Sequence, residues 1–295
     1  MAFGFGGEQA ASRAPSACCE VWGVLNVTPD SFSDGGRYVE PHAALAHAQA
    51  MLAEGADVID VGGASSRPQG ALYGAGAAEV TLAEELARVL PVVRGLAQQR
   101  GRVSIDTTRA EVAAGAIAEG ARIVNDVSCA SSDALLEVVA RSGVEYVIMH
   151  TRGRGEVSEP NTRYADVVGE VVAELLQAVE RAQRHGISGA QLCLDPGLGF
   201  AKTAQQSIEL LAGTAALVAT GLRVLSGPSR KGFIAEVAKL PDGQRPVPEQ
   251  REAGTAAAVT MAVLLGAHAV SVHDVAAGRQ AVLVAQALRS AGRAP

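Results

Sequence analysis

The sequence predicts a single-domain α/β protein, a (β/α)8 TIM barrel. Short β-branched apolar runs alternate with amphipathic Ala/Leu/Glu/Arg-rich stretches along all 295 residues, giving eight strand and helix units. The runs show no polar alternation, so each strand is covered on both faces and pairs in parallel. No linker divides the chain, and aromatics are only 3%, which favours close Ala/Val/Leu/Gly packing of helix on strand over an aromatic-rich sandwich. Eight unbroken units favour a closed barrel; an open doubly wound sheet remains the alternative, because closure leaves no mark in a sequence.

The first strand, residues 21–26, runs into GVLNVTPDSFSDGG, a polar, turn-rich loop, and a helix follows over 41–54. Strand 58–61 ends in DVGGASSR before a helix over 82–99, and strand 103–106 ends in SIDTTR before a helix over 110–119. Strand 123–127 carries IVND and leads to a helix over 134–142; strand 146–150 carries IMHTRG and leads to one over 164–185. Strand 191–194 opens into CLDPGLGFAK ahead of a helix over 205–219, and strand 223–226 into LSGPSRKG ahead of a helix over 249–266. The last strand, 269–273, closes with SVHDV before a helix over 276–290. Residues 241–248, PDGQRPVP, read as an ordinary loop inside the seventh unit.

A formal charge of −6 argues against a nucleic-acid partner. Cys18, Cys19, Cys129 and Cys193 form no CxxC pair and no zinc spacing with histidines, and read as thiols in a reducing compartment. The first twenty residues lack a basic start followed by an apolar h-region, and no apolar run approaches the roughly 18 residues of a membrane span. A soluble cytoplasmic protein without membrane association is expected, with residues 1–20 a flexible tail and 21–295 the barrel domain.

In a parallel barrel, catalytic groups come from the C-terminal ends of strands and the loops behind them. The polar residues gather there, Asn26, Ser65, Ser66, Arg67, Asp106, Arg109, Asn125, Asp126, His150, Arg152, Asp195, Lys202, Ser229, Arg230, Lys231, His273 and Asp274, with the apolar Met149 and Phe200 among them. Asp, Asn and Ser also cap helices, so position alone is weak evidence. Asp106, Asn125 and Asp195 differ, because each terminates an apolar run and would be buried or aimed into the mouth. A buried carboxylate without a partner is costly, so these residues ask for a donor-rich ligand or a cation such as Lys231. Gly227-Pro228-Ser229-Arg230-Lys231 lacks the second glycine of a GxSxG elbow, and neither a P-loop nor a strand-linked GxGxxG is present. His42 and His47 read as surface residues of the first helix.

With these positions in place, the chain from about Val21 onward resembles the dihydropteroate synthase family of pterin-binding barrels, on the motifs NVTPDSFSDGG, DPGLGFAK and SRK. The resemblance implies a homodimeric transferase, a sulfonamide target of folate biosynthesis. Its small-molecule substrates are 6-hydroxymethyl-7,8-dihydropterin diphosphate and 4-aminobenzoate. It implies a pterin pocket at Asp106, Asn125, Met149, Asp195, Phe200 and Lys231, and a diphosphate and aminobenzoate side at Asn26, Ser66, Arg67, Ser229 and His273. Asn26 would be the protein's ligand to Mg2+, and Arg67, Lys231 and His273 the catalytic groups.

Three positions depart from the family pattern. Ser271 stands where the family carries an Arg that holds the diphosphate; Ala64 and Ser65 replace the usual Glu-Ser; and residues 69–80, QGALYGAGAAEV, form a longer, Gly/Ala-rich loop. A hydroxyl does not replace a bidentate guanidinium, so a pterin-binding paralogue with weak or no synthase activity is the second reading. A pterin-dependent methyltransferase ranks last, since such relatives lack NVTPDSFSDGG and SRK. The longer loop would alter aminobenzoate and sulfonamide binding, and residues 28–36 would cover the substrates.

Overall fold

A computed structural model describes residues 18–27, 41–64, 80–153 and 156–292. Ser65, Ser66 and Arg67, the cover loop at 28–36 and nearly all of the loop at 69–80 lie outside these residues, as does the predicted tail up to residue 17. The strands are β1 (Glu20–Asn26), β2 (Val58–Gly62), β3 (Val103–Asp106), β4 (Ile123–Asp126), β5 (Glu145–Met149), β6 (Leu192–Asp195), β7 (Arg223–Ser226) and β8 (Ala269–Val272). All neighbours pair in parallel, and β8 returns to β1 with Glu20 opposite Ala269 and Gly23 opposite Val272. Closure excludes the open sheet.

The described helices are α1 (Pro41–Ala53), α2 (Leu82–Gln98), α3 (Ala110–Ala118), α4 (Asp133–Ser142), α5 (Val167–Arg184), α6 (Ala204–Ala212), α7 (Thr214–Val218), α8 (Gly232–Val237), α9 (Glu252–Leu264) and α10 (Val275–Ala291). Their starts are written in side chains. Thr81 and Glu84 form a reciprocal capping box at α2, Thr203 and Gln206 do the same at α6, and Ser132, Asp166 and Asp274 cap α4, α5 and α10. The Asp166 cap moves the start of α5 to Val167, past the predicted 164. The predicted helix 205–219 is two, broken where buried Thr214 donates its hydroxyl to Leu211 O at 2.7 Å. Helix α8 was not predicted: its six residues follow directly on the polar SRK motif, too short for a periodic signal.

Two apolar assemblies result. The larger lies between strands and helices and includes Ile59, Val61, Val93, Leu96, Ile105, Leu136, Ile148, Leu194 and Val270. The smaller fills the barrel with Trp22, Val58, Ile123, Val147, Cys193, Leu225 and Ala269. Side chains two residues apart on a strand share a face, so this inner cluster fixes what lies above and below it.

Two residues before Trp22, Ser104, Val147 and Leu225 come Glu20, Arg102, Glu145 and Arg223, which close into a ring of alternating charge. Arg102 donates to Glu20 at 2.8 Å and to Glu145 at 2.6 Å; Arg223 donates to Glu145 at 2.7 Å and to Glu20 at 2.8 Å. Trp22 Nε1 adds a hydrogen bond to Glu20 at 3.2 Å. This ring is the barrel floor, built from odd strands and their leading residues. Two residues beyond Val58, Ile123, Cys193 and Ala269 come Asp60, Asn125, Asp195 and Ser271, one from each even strand. This layer is the base of the mouth.

Candidate active site at the barrel mouth

The strand ends bring Asp106, Asn125, Met149, Asp195, Phe200 and Lys231 to the C-terminal end of one barrel, as the sequence predicts. Asp106 pairs in register with Gly62 on one side and Asn125 on the other, and Met149 with Asp195. Asn125 Nδ2 donates to Asp60 Oδ2 at 2.9 Å. That leaves Asn125 Oδ1 buried with no hydrogen-bond partner among the described residues, while Ser104, in register with Asp60 on the neighbouring strand, eases the burial of that carboxyl. Native proteins rarely leave such an atom unmatched, and a ligand with N–H donors would match it.

Asp195 Oδ1 accepts from Gly197 N at 2.7 Å. Gly197 has φ +65°, and a Cβ there would stand 2.0 Å from His150 O, so only glycine lets this turn close on β5. The turn carries Phe200, whose ring lies 4.4 Å from Lys231 Nζ. Lys231 comes from a turn pinned by α9: Arg230, at φ +57°, donates its N–H to Thr255 Oγ1 at 3.1 Å and accepts from Arg251 at 2.7 Å through its carbonyl. The Arg230 guanidinium pairs with Glu252.

Three carboxyls share this space with that lysine, and burial dominates their titration. It raises Asp60; with Asp60, Asp126 and Glu85 nearby, it pushes Asp106 well above the usual range despite Lys231. Burial takes Asp195 up to about 6, against the pull of Gly197 N–H, Lys231 and Lys202. Lys231 is lowered by burial, resisted by Asp195 and Asp106. The pocket therefore favours protons until a partner with its own donors arrives.

On the other flank, Ser229 Oγ and His273 Nδ1 lie 2.9 Å apart, and His273 N donates to Ser229 Oγ at 3.1 Å. Burial, then Arg230 and Lys231, hold the His273 imidazole down to about 4. Asn26 ends β1 with its Oδ1 beside Gly62; a Cβ at Gly62 would stand 3.6 Å from Asn26 Oδ1 and 3.6 Å from Asp106 Oδ2.

The pterin-binding enzyme family model matches residues 22–273. The chain belongs to this family. A dihydropteroate synthase of Mycobacterium leprae (strain TN) is 48% identical over 277 residues, covering 92% of this chain and 94% of the relative. The structure of Xanthomonas albilineans dihydropteroate synthase with 4-aminobenzoic acid superposes with a TM-score of 0.83 at 40% identity, covering 94% of each chain. The same enzyme in complex with 7,8-dihydropteroate gives a TM-score of 0.80 at 38% identity, covering 94% of this chain and 95% of that one.

Within this pterin-binding barrel, several strand-end residues are structural. Asp126 accepts from Ser128 N, Ala130 N and the Tyr146 hydroxyl at 2.8, 3.0 and 2.6 Å. Arg109 donates to Glu85 at 2.9 Å and to Val80 O at 2.6 Å, and Asp274 is the α10 cap. Sequence reasoning missed Asp60, although a carboxylate inside the apolar run VIDVG is the same signal that marks Asp106 and Asp195. Ser271 lies in the layer of Asp60, Asn125 and Asp195, where a Cβ on Gly227 would be 2.9 Å from its Oγ. An Mg2+ ion would suit Asn26, whose amide carbonyl is a hard oxygen donor beside Gly62. Among the described residues no group of three or more His, Cys, Asp or Glu forms a metal cage.

Proposed function

We propose that this chain is a dihydropteroate synthase, condensing 6-hydroxymethyl-7,8-dihydropterin diphosphate with 4-aminobenzoate to 7,8-dihydropteroate and diphosphate. The observation that carries the reading is the unmatched buried acceptor Asn125 Oδ1, beside the buried carboxyls of Asp60, Asp106 and Asp195 with raised pKa. A flat heterocycle with an exocyclic amine and ring N–H groups supplies donors for such a set. Met149 and Phe200 give apolar surface for its faces, and Lys231 donates to its oxygen and nitrogen side.

In the reaction the C–O bond between the pterin methylene and the diphosphate breaks, while the aniline nitrogen forms the new C–N bond and releases a proton. No protein nucleophile is needed. The chain's contribution is to align the two substrates and to stabilise charge on the leaving group. Arg67, Ser66 and His273 are assigned to the anion side, with Ser229 orienting the His273 ring. Asn26 would hold Mg2+, which when bound would supply positive charge at the diphosphate. Purified protein mixed with both substrates and Mg2+ should release diphosphate; tight pterin binding without release would favour the second reading, a pterin-binding paralogue. Ser271 motivates that alternative, because the deep layer offers a hydroxyl where the family's guanidinium would stand.

A sulfonamide, shaped like aminobenzoate, should compete at the same flank. Helices α9 and α10 pack side by side and expose Met261, Leu264, Leu283, Val284 and Leu288, an apolar face that supports assembly as a homodimer. Leu283→Glu should shift sedimentation toward monomer. No helix among the described residues is long and apolar enough to cross a membrane, and the reading assigns the protein to the cytoplasm.

A further inference from the structure

Behind the pocket, Lys202 is wholly buried, a costly place for an ammonium. Its Nζ meets three acceptors, one for each N–H: His150 Nδ1 at 2.9 Å, Phe200 O at 2.9 Å and Gly197 O at 3.1 Å. Two of these are carbonyls of the turn that presents Asp195 and Phe200. Gly197 is gripped on both sides, its carbonyl by Lys202 and its N–H by Asp195 at 2.7 Å.

The third contact is itself anchored. With Nδ1 accepting from Lys202, the His150 proton is assigned to Nε2, which faces Glu174 Oε2 at 3.0 Å. Burial and Lys202 keep the imidazole neutral, with a pKa of about 4, and hydrogen bonds from His150 and Arg152 hold Glu174 at about 2. Arg152 pairs with Glu174 and with Glu170 at 2.8 Å, and its guanidinium lies 3.8 Å from the Tyr164 ring centroid. A continuous chain of polar contacts thus runs from α5 to the back of the pocket turn.

We propose that Lys202 is a positioning residue for pterin recognition: its ammonium, oriented by His150 and Glu174, holds the 195–202 turn so that the Asp195 carboxyl and the Phe200 ring face the ligand. The proposal rests on the pterin pocket argued above. Lys202 and His150 are wholly buried behind the turn, so their effect on a ligand passes through it. Burial lowers the lysine to about 7, and Asp195 is the first of the groups that favour its ammonium form against that loss.

The test is calorimetric binding of 6-hydroxymethylpterin to folded protein, beside thermal melts. Lys202→Met keeps the stem and removes the donors; its dissociation constant should rise at least tenfold, roughly the loss of one or two buried hydrogen bonds at the ligand. Glu174→Gln, at the outer end, should shift it by about threefold in the same direction, and it carries the test if Lys202→Met does not fold. A purely structural lysine would lower the melting temperature and leave the affinity of the folded protein unchanged; that result overturns the proposal. Failure of the unaltered chain to bind 6-hydroxymethylpterin would instead overturn the functional reading.

Discussion

Asn125 donates to Asp60 at 2.9 Å, and this one bond fixes the orientation of the Asn125 amide, whose Oδ1 stays buried and unmatched. Asp60 therefore acts on recognition without offering its bonded oxygen to the ligand. Asp60→Ala should weaken 6-hydroxymethylpterin binding by about tenfold to a hundredfold, the cost of freeing one buried amide and removing one acceptor. Calorimetry reads it; unchanged affinity would remove Asp60 from the pocket.

Pterin binding should depend on pH through Asp195. Its folded value of about 6 lies above the ordinary 3.8, so the free protein keeps this proton where an unfolded chain has lost it. A ligand that donates to the carboxylate favours the ionised form, so affinity should fall as pH drops below about 6, approaching tenfold per unit. Stability of the free protein runs the other way: the contribution of Asp195 is complete below 3.8 and is lost as pH rises through about 6. Titration calorimetry between pH 5 and pH 8 tests the first sign, and a flat profile would contradict it.

His273 gives a contrasting expectation. Held at about 4, it stays neutral across the usual assay range, so kcat/KM should show no limb near the ordinary imidazole value of 6.5. A limb there that vanishes in His273→Gln would mean that the ring is far more basic than its burial implies.

Ser271→Arg tests whether the deep layer limits turnover. If a missing phosphate clamp is the obstacle, diphosphate release should rise by about tenfold or more, the scale of one charge-assisted hydrogen bond. Equal or lower turnover would clear Ser271 and point to Arg67, Arg230 or Lys231 as sufficient cations.

The floor is a separate matter of stability. Glu20 bridges Arg102 and Arg223 and is itself buried, so Glu20→Gln should cost about 3 kcal/mol by leaving two guanidinium groups short of charge. Chemical denaturation measures the loss, while pterin affinity should not change, because the inner apolar cluster separates floor from mouth.

Most of the fold was legible because parallel strands buried on both faces and amphipathic helices leave different periods in the sequence, and element ends agree to within a few residues. Helix α8 escaped because six residues carry no period, and the break at Thr214 because both halves share one apolar pattern. Asp106, Asn125 and Asp195 were legible as polar groups ending apolar runs. Lys202 was visible as a strand-end residue, but its contacts join residues 150, 197 and 200, and only the closed turn brings them together. The charged floor was invisible for the same reason: Glu20, Arg102, Glu145 and Arg223 look like ordinary solvated residues at strand starts until the barrel closes.

The even-strand layer has a consequence for divergence. Asp60, Asn125, Asp195 and Ser271 come from four separate strands, each set by its own inner apolar neighbour two residues earlier. One of the four can change by a single codon without re-registering the other three. A lineage that keeps Asp60, Asn125 and Asp195 and varies Ser271 retains its ligand while exchanging what is done to it, and a duplicated copy can specialise at that position without remodelling a loop.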